Sequence, residues 1–352
     1  MAALTLELCT VASVTGAEGP LADLLEARCR SLPSVETARQ GHAVLAQGPQ
    51  RLGRPTVALF GHSDTVRPAA DQPLGISEGR VFGCGASDMK GGLALMLLLL
   101  ERAEGLGVNL RCIFYDREEG PAAESGLIPL CQGGTLKDID LALCLEPTDN
   151  RVEGGCVGGF QAQVTFVGKR AHSARPWQGD NAIYKALPFL QRLQAFERRE
   201  RVIEGLPFFE VLSATQALTE NSRNVVPDRF TLNVNFRFAP DRDREDAEAE
   251  LRALIPPHAE LHILDYAPPG RVSLRQPLLR AWLARRSIEV AAKQAWTDVS
   301  RLTALGIAAV NFGPGETAQA HQARESIPIS NLAAGFQALL DLLRQSGSPS
   351  GA

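Results

Sequence analysis

The stretch Pro55-Thr-Val-Ala-Leu-Phe60, followed by Gly61-His-Ser-Asp64, decides the class of fold. It is an apolar run of strand length that ends abruptly in polar residues. Two further apolar runs, Leu110–Tyr115 and Leu141–Leu145, end in the same way, and helical patterns separate the three. Strands that alternate with helices predict an α/β domain whose central sheet is mainly parallel and is flanked by helices.

The pattern changes after the glycine-rich segment that ends at Gly159. Phe160–Val167 and Phe230–Phe238 alternate apolar and polar residues, which is typical of strands with one exposed face. Together with the helical stretches between them, they give a β-α-β-β-α-β order over 158–266, which predicts an inserted α+β domain of the ferredoxin-like type. Ala267-Pro-Pro-Gly270 then predicts a return to the first domain, which would comprise residues 1–157 and 267–352.

Composition excludes several classes of function. The 352 residues exceed what one core usually supports, and the formal net charge of −4, without a basic stripe, favours neither nucleic-acid nor membrane binding. The longest apolar run, Leu93–Leu100, is far shorter than the roughly 20 residues that span a bilayer, so it predicts a buried helix. Because no secretory signal opens the chain and the seven cysteines form no Cys-x-x-Cys pair, we expect a cytoplasmic protein without a thiolate metal site. Ser346–Ala352 is expected to fray.

Polar residues follow the predicted strands at the edge where open α/β sheets bind ligands. They are His62 and Asp64, Asp88, Glu118 and Glu119, Glu146, and His321. Each group alone has an ordinary explanation, since His-x-Asp can form a turn and adjacent glutamates can end a solvated helix. As an ordered set, however, several carboxylates at one edge would repel one another unless a cation neutralised them. Imidazoles and carboxylates without Cys suit zinc, cobalt or manganese.

These residues lie in motifs that resemble the co-catalytic zinc superfamily of aminoacylases, glutamate-releasing carboxypeptidases and succinyl-diaminopimelate desuccinylases. The motifs are Gly61-His-Ser-Asp-Thr-Val66, Phe82-Gly-Cys-Gly-Ala-Ser-Asp-Met-Lys-Gly-Gly92 and Glu118-Glu119-Gly120. Further stretches are most similar to the actinobacterial type of desuccinylase, and the resemblance covers nearly the whole chain. These stretches are Phe114-Tyr-Asp-Arg-Glu-Glu119, Leu145-Glu-Pro-Thr148, Ala171-His-Ser-Ala-Arg175 and Trp296-Thr-Asp-Val-Ser-Arg301.

The resemblance implies a pair of ions, most simply two zinc ions, with cobalt or manganese as alternatives. His62 and Glu146 would bind one ion, and Glu119 and His321 would bind the other. Asp88 would bridge the two. The residues alone do not say which of the two adjacent glutamates is a ligand, and this division rests on the resemblance.

The same resemblance implies the roles around the ions. Glu118 would be the general base for amide hydrolysis, Asp64 would orient the His62 ring, and a strained, often cis, peptide would join Asp88 to Met89. A bound ion makes water a usable nucleophile near neutral pH and polarises the amide carbonyl, which explains why these residue types are needed.

In the inserted domain, the resemblance singles out His172, Asn224 and Arg237. His172 would reach the active site of the partner subunit and stabilise the oxyanion, which requires a homodimer formed through the inserted domain. Asn224 and Arg237 would contact the substrate, and Arg237 could pair with a carboxylate through two hydrogen bonds. The simpler alternatives are a structural surface histidine and an exposed strand arginine.

The resemblance implies hydrolysis of N-succinyl-LL-2,6-diaminopimelate to succinate and LL-diaminopimelate. Near the last ligand the desuccinylase pattern is His-Lys-x-Asp-Glu, whereas this chain has His321-Gln-Ala-Arg-Glu325. This departure keeps open a second hypothesis, another N-acyl amino-acid deacylase or carboxypeptidase of the acetylornithine or acyl-lysine type. A third hypothesis, a metal-binding dimer without catalysis, is disfavoured by the presence of Glu118.

Overall fold

The computed structural model describes residues 1–345, and the segment Ser346–Ala352 that was expected to fray lies outside the described residues. The α-helices are α1 (Ala2–Thr10), α2 (Gly19–Arg30), α3 (Gly91–Leu100), α4 (Leu127–Gln132), α5 (Ala182–Lys185), α6 (Leu187–Gln194), α7 (Arg244–Leu254), α8 (Pro277–Arg286), α9 (Val299–Ala304) and α10 (Ile329–Leu343). Single helical turns are a π-helical turn at Ala86–Lys90 and 3-10 turns at Ala103–Gly105, Ala122–Glu124, Pro176–Gln178 and Thr317–Gln319.

The strands alternate with these helices in the first half of the chain and cluster in the middle. They are β1 (Glu36–Gln40), β2 (Ala43–Gln47), β3 (Thr56–His62), β4 (Gly75–Ser77), β5 (Arg80–Phe82), β6 (Asn109–Tyr115), β7 (Leu141–Cys144), β8 (Val152–Gly154), β9 (Gly158–Val167), β10 (Ala171–His172), β11 (Arg199–Ile203), β12 (Leu206–Leu218), β13 (Val225–Val226), β14 (Arg229–Phe238), β15 (Ala259–Ala267), β16 (Val290–Ala292), β17 (Ala309–Asn311) and β18 (Ser326–Pro328).

The chain forms two compact units. The first comprises residues 1–154, 273–291 and the described chain from 301, and the second comprises 155–272 and 292–300. The assignment of a catalytic and a dimerisation domain, with boundaries at 158 and 266, stays a prediction. Among residues 1–345, no helix combines the length and apolar character that a membrane crossing requires.

The first unit is built on an eight-stranded sheet in the order β1-β2-β6-β3-β7-β17-β8-β16. Its four central strands, β6, β3, β7 and β17, run parallel, and antiparallel strands flank them. The apolar run predicted to be a buried helix forms α3, which packs against β3 and β6, and of its residues only Leu98 is partly exposed. The predicted α/β class with a parallel central sheet flanked by helices is confirmed.

The register of the parallel strands brings their carboxyl ends together. His62 at the end of β3 is paired with Tyr115 at the end of β6, and Phe60 is paired with Cys144 at the end of β7. Since all seven residues of β3 are buried, the strand has apolar layers on both faces, as parallel sheets require. The polar residues that follow these three strands therefore start from neighbouring points on one edge.

The second unit contains a five-stranded antiparallel sheet in the order β11-β12-β14-β9-β15. Buried and partly exposed residues alternate along β14, and its buried phenylalanines pack with those of β9 and with α6 and α7 in a separate core. Strands β9, β12, β14 and β15, with helices between the first two and the last two, follow the β-α-β-β-α-β order expected of a ferredoxin-like domain. The side chain of Asp243 caps α7 by accepting a hydrogen bond from the Asp246 amide at 2.8 Å.

A network of four charged side chains closes one side of this second unit. The Glu210 carboxylate is almost fully buried, lies 3.3 Å from the Arg242 guanidinium and accepts a hydrogen bond from the Ala239 amide at 3.2 Å. Arg199 is 3.0 Å from Glu210, and Glu250 pairs with both arginines. The two arginines thus neutralise a carboxylate that would be costly to bury alone.

Candidate active site

The polar residues predicted at the strand ends converge in the first unit. His62 ends β3, Glu118 and Glu119 lie in the loop after β6, and Glu146 lies two residues beyond the end of β7. Asp88 lies in the π-helical turn before α3, and His321 follows the 3-10 turn at Thr317–Gln319. The structure therefore brings together on one edge all five residues that the sequence suggests as ligands.

His62 is held from both sides of its ring. Nε2 lies 3.2 Å from Asp88 Oδ1, while Nδ1 lies 3.0 Å from the backbone oxygen of Asp64 and 3.5 Å from its carboxylate. Burial alone would lower the pKa of His62, but the carboxylates of Asp64, Asp88 and Glu146 outweigh it and raise that pKa well above its usual value. The ring thus sits among negative charges, as an imidazole that shares a cation with carboxylates would.

The buried carboxylate of Asp64 connects β3 to the loop that carries the two glutamates. Its oxygens accept hydrogen bonds from the backbone amides of Glu118 at 3.0 Å and Glu119 at 2.9 Å, and from the Thr15 hydroxyl at 2.9 Å. Burial raises the pKa of Asp64, but His62 and these amides prevail and lower it. Asp64 therefore stays ionised and fixes His62 and the glutamate loop relative to each other.

The Asp88 carboxylate lies between the two histidines. Oδ1 faces His62, and Oδ2 is 3.6 Å from His321 Nε2. The peptide bond from Asp88 to Met89 is cis, as the resemblance implies. His321 Nε2 is also 2.8 Å from Glu119 Oε1, and burial together with the charge of Asp88 raises the pKa of Glu119.

Three overlapping groups of donor atoms could each hold a cation, with all atoms of a group within 4.8 Å of one another. They are His62 with Glu118 and Glu119, His62 with Asp88 and Glu146, and Asp88 with Glu119 and His321. The last two groups share Asp88, so one carboxylate faces two adjacent positions. Nitrogen and oxygen donors in this number, with mutually repelling carboxylates, fit a pair of divalent ions.

Two features of the site were not predicted from the sequence. Glu325 is a buried carboxylate whose oxygens accept hydrogen bonds from the amides of Gly85, Ser87 and Asp88 at 2.7 to 2.9 Å. Burial raises its pKa to about 7, although these three amides act in the opposite direction. Its position in a motif, four residues after His321, was the only signal for it in the sequence.

The second feature is the loop Gly313-Pro-Gly315, which packs between two of the candidate ligands. A Cβ on Gly313 would lie 2.4 Å from the backbone oxygen of Glu146, and one on Gly315 would lie 2.1 Å from that of Ser87. Only glycine lets the backbone approach so closely. No motif in the sequence marks what these two glycines contact.

The remaining predicted residues belong to the second unit. His172, in β10, is exposed, and the amide of the next residue, Ser173, bonds the backbone oxygen of Asn224 at 2.8 Å, so His172 and Asn224 are neighbours. Arg237 is not with them. It lies near the far end of β14, roughly 26 Å from Arg229 at 3.3 Å per strand residue, and its Nε donates to Asn235 at 3.2 Å.

Known proteins match this chain over most of its length. A relative from Mycobacterium tuberculosis is 37% identical over 97% of this chain and 96% of its own length. The succinyl-diaminopimelate desuccinylase of Corynebacterium glutamicum is 36% identical over 94% of this chain and 92% of its own. The resemblance to desuccinylases that the motifs indicate is thereby confirmed.

Among solved structures, a tripeptidase from Staphylococcus aureus has a TM-score of 0.79 at 19% identity and covers 97% of this chain and 96% of its own. A dinuclear metal-binding peptidase of the M20 family from Bacillus subtilis has a TM-score of 0.74 at 16% identity, over 97% and 95%. At these identities the likeness shows a shared fold. The sequence profile of Peptidase family M20/M25/M40 matches residues 58–345. The chain belongs to the peptidase family M20/M25/M40.

Proposed function

We propose that this protein hydrolyses N-succinyl-LL-2,6-diaminopimelate to succinate and LL-diaminopimelate, a step of diaminopimelate and lysine biosynthesis in the cytoplasm. The observation that carries the proposal is the 36% identity, over 94% of the chain, to the desuccinylase of Corynebacterium glutamicum. The convergence of His62, Asp88 and His321 at the sheet edge supports it, because metal-assisted hydrolysis of an amide needs nitrogen and oxygen ligands that hold the ions.

Two zinc ions would occupy the donor groups, with cobalt or manganese as alternatives that the same ligands accept. His62 and Glu146 would hold one ion, Glu119 and His321 the other, and Asp88 both. The orientation of the two Asp88 oxygens toward different histidines supports this division. When bound, such ions polarise an amide carbonyl and lower the pKa of a water molecule.

Glu118 is the proposed general base. Its carboxylate would accept a proton from the attacking water as the new C–O bond forms, and would then protonate the leaving nitrogen as the amide C–N bond breaks. Its donor oxygen lies in one group with His62 and Glu119, and Asp64 fixes its backbone amide at 3.0 Å. The products are the succinate carboxylate and the free amine, which leaves Glu118 ready for another cycle.

The second unit would complete the site in a homodimer. His172 of one subunit would donate a hydrogen bond to the oxyanion in the other, and Asn224 beside it would contact the substrate. Arg237, which is distant from both within one subunit, would pair with a substrate carboxylate from the other subunit. Exposed apolar side chains on the same unit support an interface there, since Trp177 and Tyr184 are 76% and 75% exposed. In this proposal residues 158–266 form the dimerisation domain, and 1–157 with 267–352 form the catalytic domain.

The test is a coupled assay of the zinc-loaded protein on N-succinyl-diaminopimelate and on N-acetylornithine, each with a chelator control. Chelator-sensitive release of succinate, without hydrolysis of the acetyl compound, supports the proposal. Hydrolysis of the acetyl compound alone would assign the chain to the second activity, an N-acyl amino-acid deacylase. One observation favours this deacylase activity. Beside His321, the exposed residues Gln322 and Arg324 depart from the desuccinylase pattern.

The base is tested with two matched variants. Glu118→Gln should lower kcat by about 100-fold or more and leave the metal content unchanged. Glu124→Gln removes a carboxylate that lies on the same loop and pairs with Arg117 at 3.0 Å, and it should leave kcat unchanged. Equal kcat values for the two variants would rule out Glu118 as the base.

A further inference from the structure

Glu325 occupies an anion-binding turn beneath the candidate metal ligands. One of its carboxylate oxygens accepts from the Gly85 amide at 2.7 Å, and the other accepts from the amides of Ser87 and Asp88 at 2.8 and 2.9 Å. Successive backbone amides that point to one side form a concavity that binds anions. The side chain is only 3% exposed, so these amides have replaced the water that would otherwise solvate the carboxylate.

This carboxylate joins the two segments that carry Asp88 and His321. Its backbone oxygen also accepts from the Gly83 amide at 3.2 Å, so main chain and side chain of Glu325 bind the same loop. His321, four residues earlier, has a left-handed backbone with φ of 62°, a conformation that is uncommon for residues other than glycine. Glu325 therefore connects the loop that carries Asp88 to the segment that carries His321.

We propose that Glu325 is a positioning residue that holds Asp88 and His321 at the spacing needed to share a divalent ion. It acts through the backbone of Asp88 and does not ligate. This inference rests on the proposed function only in that both assume a divalent ion beside Asp88. Partners of this kind, which orient ligands without touching the metal, typically contribute 10- to 100-fold to metal affinity.

The test compares Glu325→Gln with Glu210→Gln, in full-length protein titrated with Co²⁺ alone. Glutamine keeps the size of Glu325, but its NH₂ group must face either the Gly85 amide or the amides of Ser87 and Asp88, so a donor opposes a donor. Glu210 is equally buried and also binds a backbone amide, yet it lies in the second unit. The measurements are the affinity for each Co²⁺ equivalent, the visible absorption of bound Co²⁺, and circular dichroism as a check of folding.

We expect folded Glu325→Gln to bind one Co²⁺ equivalent at least about tenfold more weakly, with an altered absorption band, while Glu210→Gln keeps the wild-type values. A folded Glu325→Gln variant with wild-type affinity and absorption would overturn the proposal, and Glu325 would then only satisfy the backbone amides of the turn. If the Gln variant does not fold, Glu325→Asp takes its place, since a carboxylate on a side chain one methylene shorter cannot reach all three amides unless the backbone at Asp88 moves. Weaker Co²⁺ binding then supports the proposal, and unchanged binding overturns it. Because no substrate is present, a failure of wild-type hydrolysis would count against the proposed function alone.

Discussion

Replacing Gly315 with alanine should damage the candidate metal site without touching any ligand. The new Cβ would lie 2.1 Å from the backbone oxygen of Ser87 and 2.9 Å from Pro147 Cβ. Ser87 precedes Asp88, and Pro147 follows Glu146. The methyl group would therefore push apart the two segments that carry these carboxylates.

The size of the displacement follows from the first of these distances. Real Cβ atoms essentially never approach within 3.0 Å of such an atom, so the gap must open from 2.1 Å by about 0.9 Å. A misplacement of about 1 Å around reacting groups can cost roughly 100-fold in rate. Excess volume in a packed interior also costs about 1–3 kcal/mol of stability. We therefore expect kcat about 100-fold below wild type in a protein that still folds.

The assay is succinate release under saturating zinc, with circular dichroism and urea unfolding on the same samples. Gly105→Ala is the matched control, because a Cβ there meets nothing within 4 Å and its kcat should equal that of wild type. A folded Gly315→Ala protein with wild-type kcat and zinc affinity would refute the reasoning, since it would show that the ligand segments can part by this distance without cost.

Three other perturbations test the forces around the site and in the second unit. In Asp64→Asn, the new NH₂ group faces at least one buried backbone amide, and this unmade hydrogen bond costs about 1–3 kcal/mol. The affinity for zinc, measured by competition with a chelator, should therefore fall about 10- to 100-fold. Thr15→Val removes only the hydroxyl bond and should cost less, so equal losses would contradict this ordering. The substitution Arg242→Met takes away one of the cationic partners of the buried Glu210 and should lower the free energy of unfolding by about 3 kcal/mol. The control Arg244→Met changes an exposed arginine, and its free energy of unfolding should stay within about 1 kcal/mol of wild type. Urea unfolding curves that are the same for the two variants would argue against a stabilising network. Removal of the metal by a chelator should lower the midpoint of thermal unfolding, because a ligand at 100 times its Kd stabilises the folded protein by about 2.7 kcal/mol. Added zinc should restore the midpoint. A midpoint that does not change with zinc would argue against a bound ion.

The sequence by itself was enough to predict the parallel strands at the centre of the large sheet and the residues at their carboxyl ends, but not the antiparallel strands that flank them. Apolar runs of strand length before His62, before Glu118 and before Glu146 identify three strands, and the helices between them require those strands to be parallel. Parallel strands end at one edge, so the residues that follow them must be neighbours. The alternation in Phe160–Val167 and Phe230–Phe238 identified the second sheet for a similar reason, since one face of each strand is buried.

Only the tertiary structure decided which groups meet across that edge. His321 contacts Glu119 across 202 positions of sequence, Glu325 binds the amides of the Asp88 turn, and Gly315 approaches the Ser87 carbonyl. Arg237, in contrast, lies near the far end of β14 and not beside Asn224. Periodicity records which face of an element is buried, because burial repeats with the geometry of the helix or strand. It does not say which residues pack against that face. Residues on loops that are distant in the sequence meet only when the chain folds.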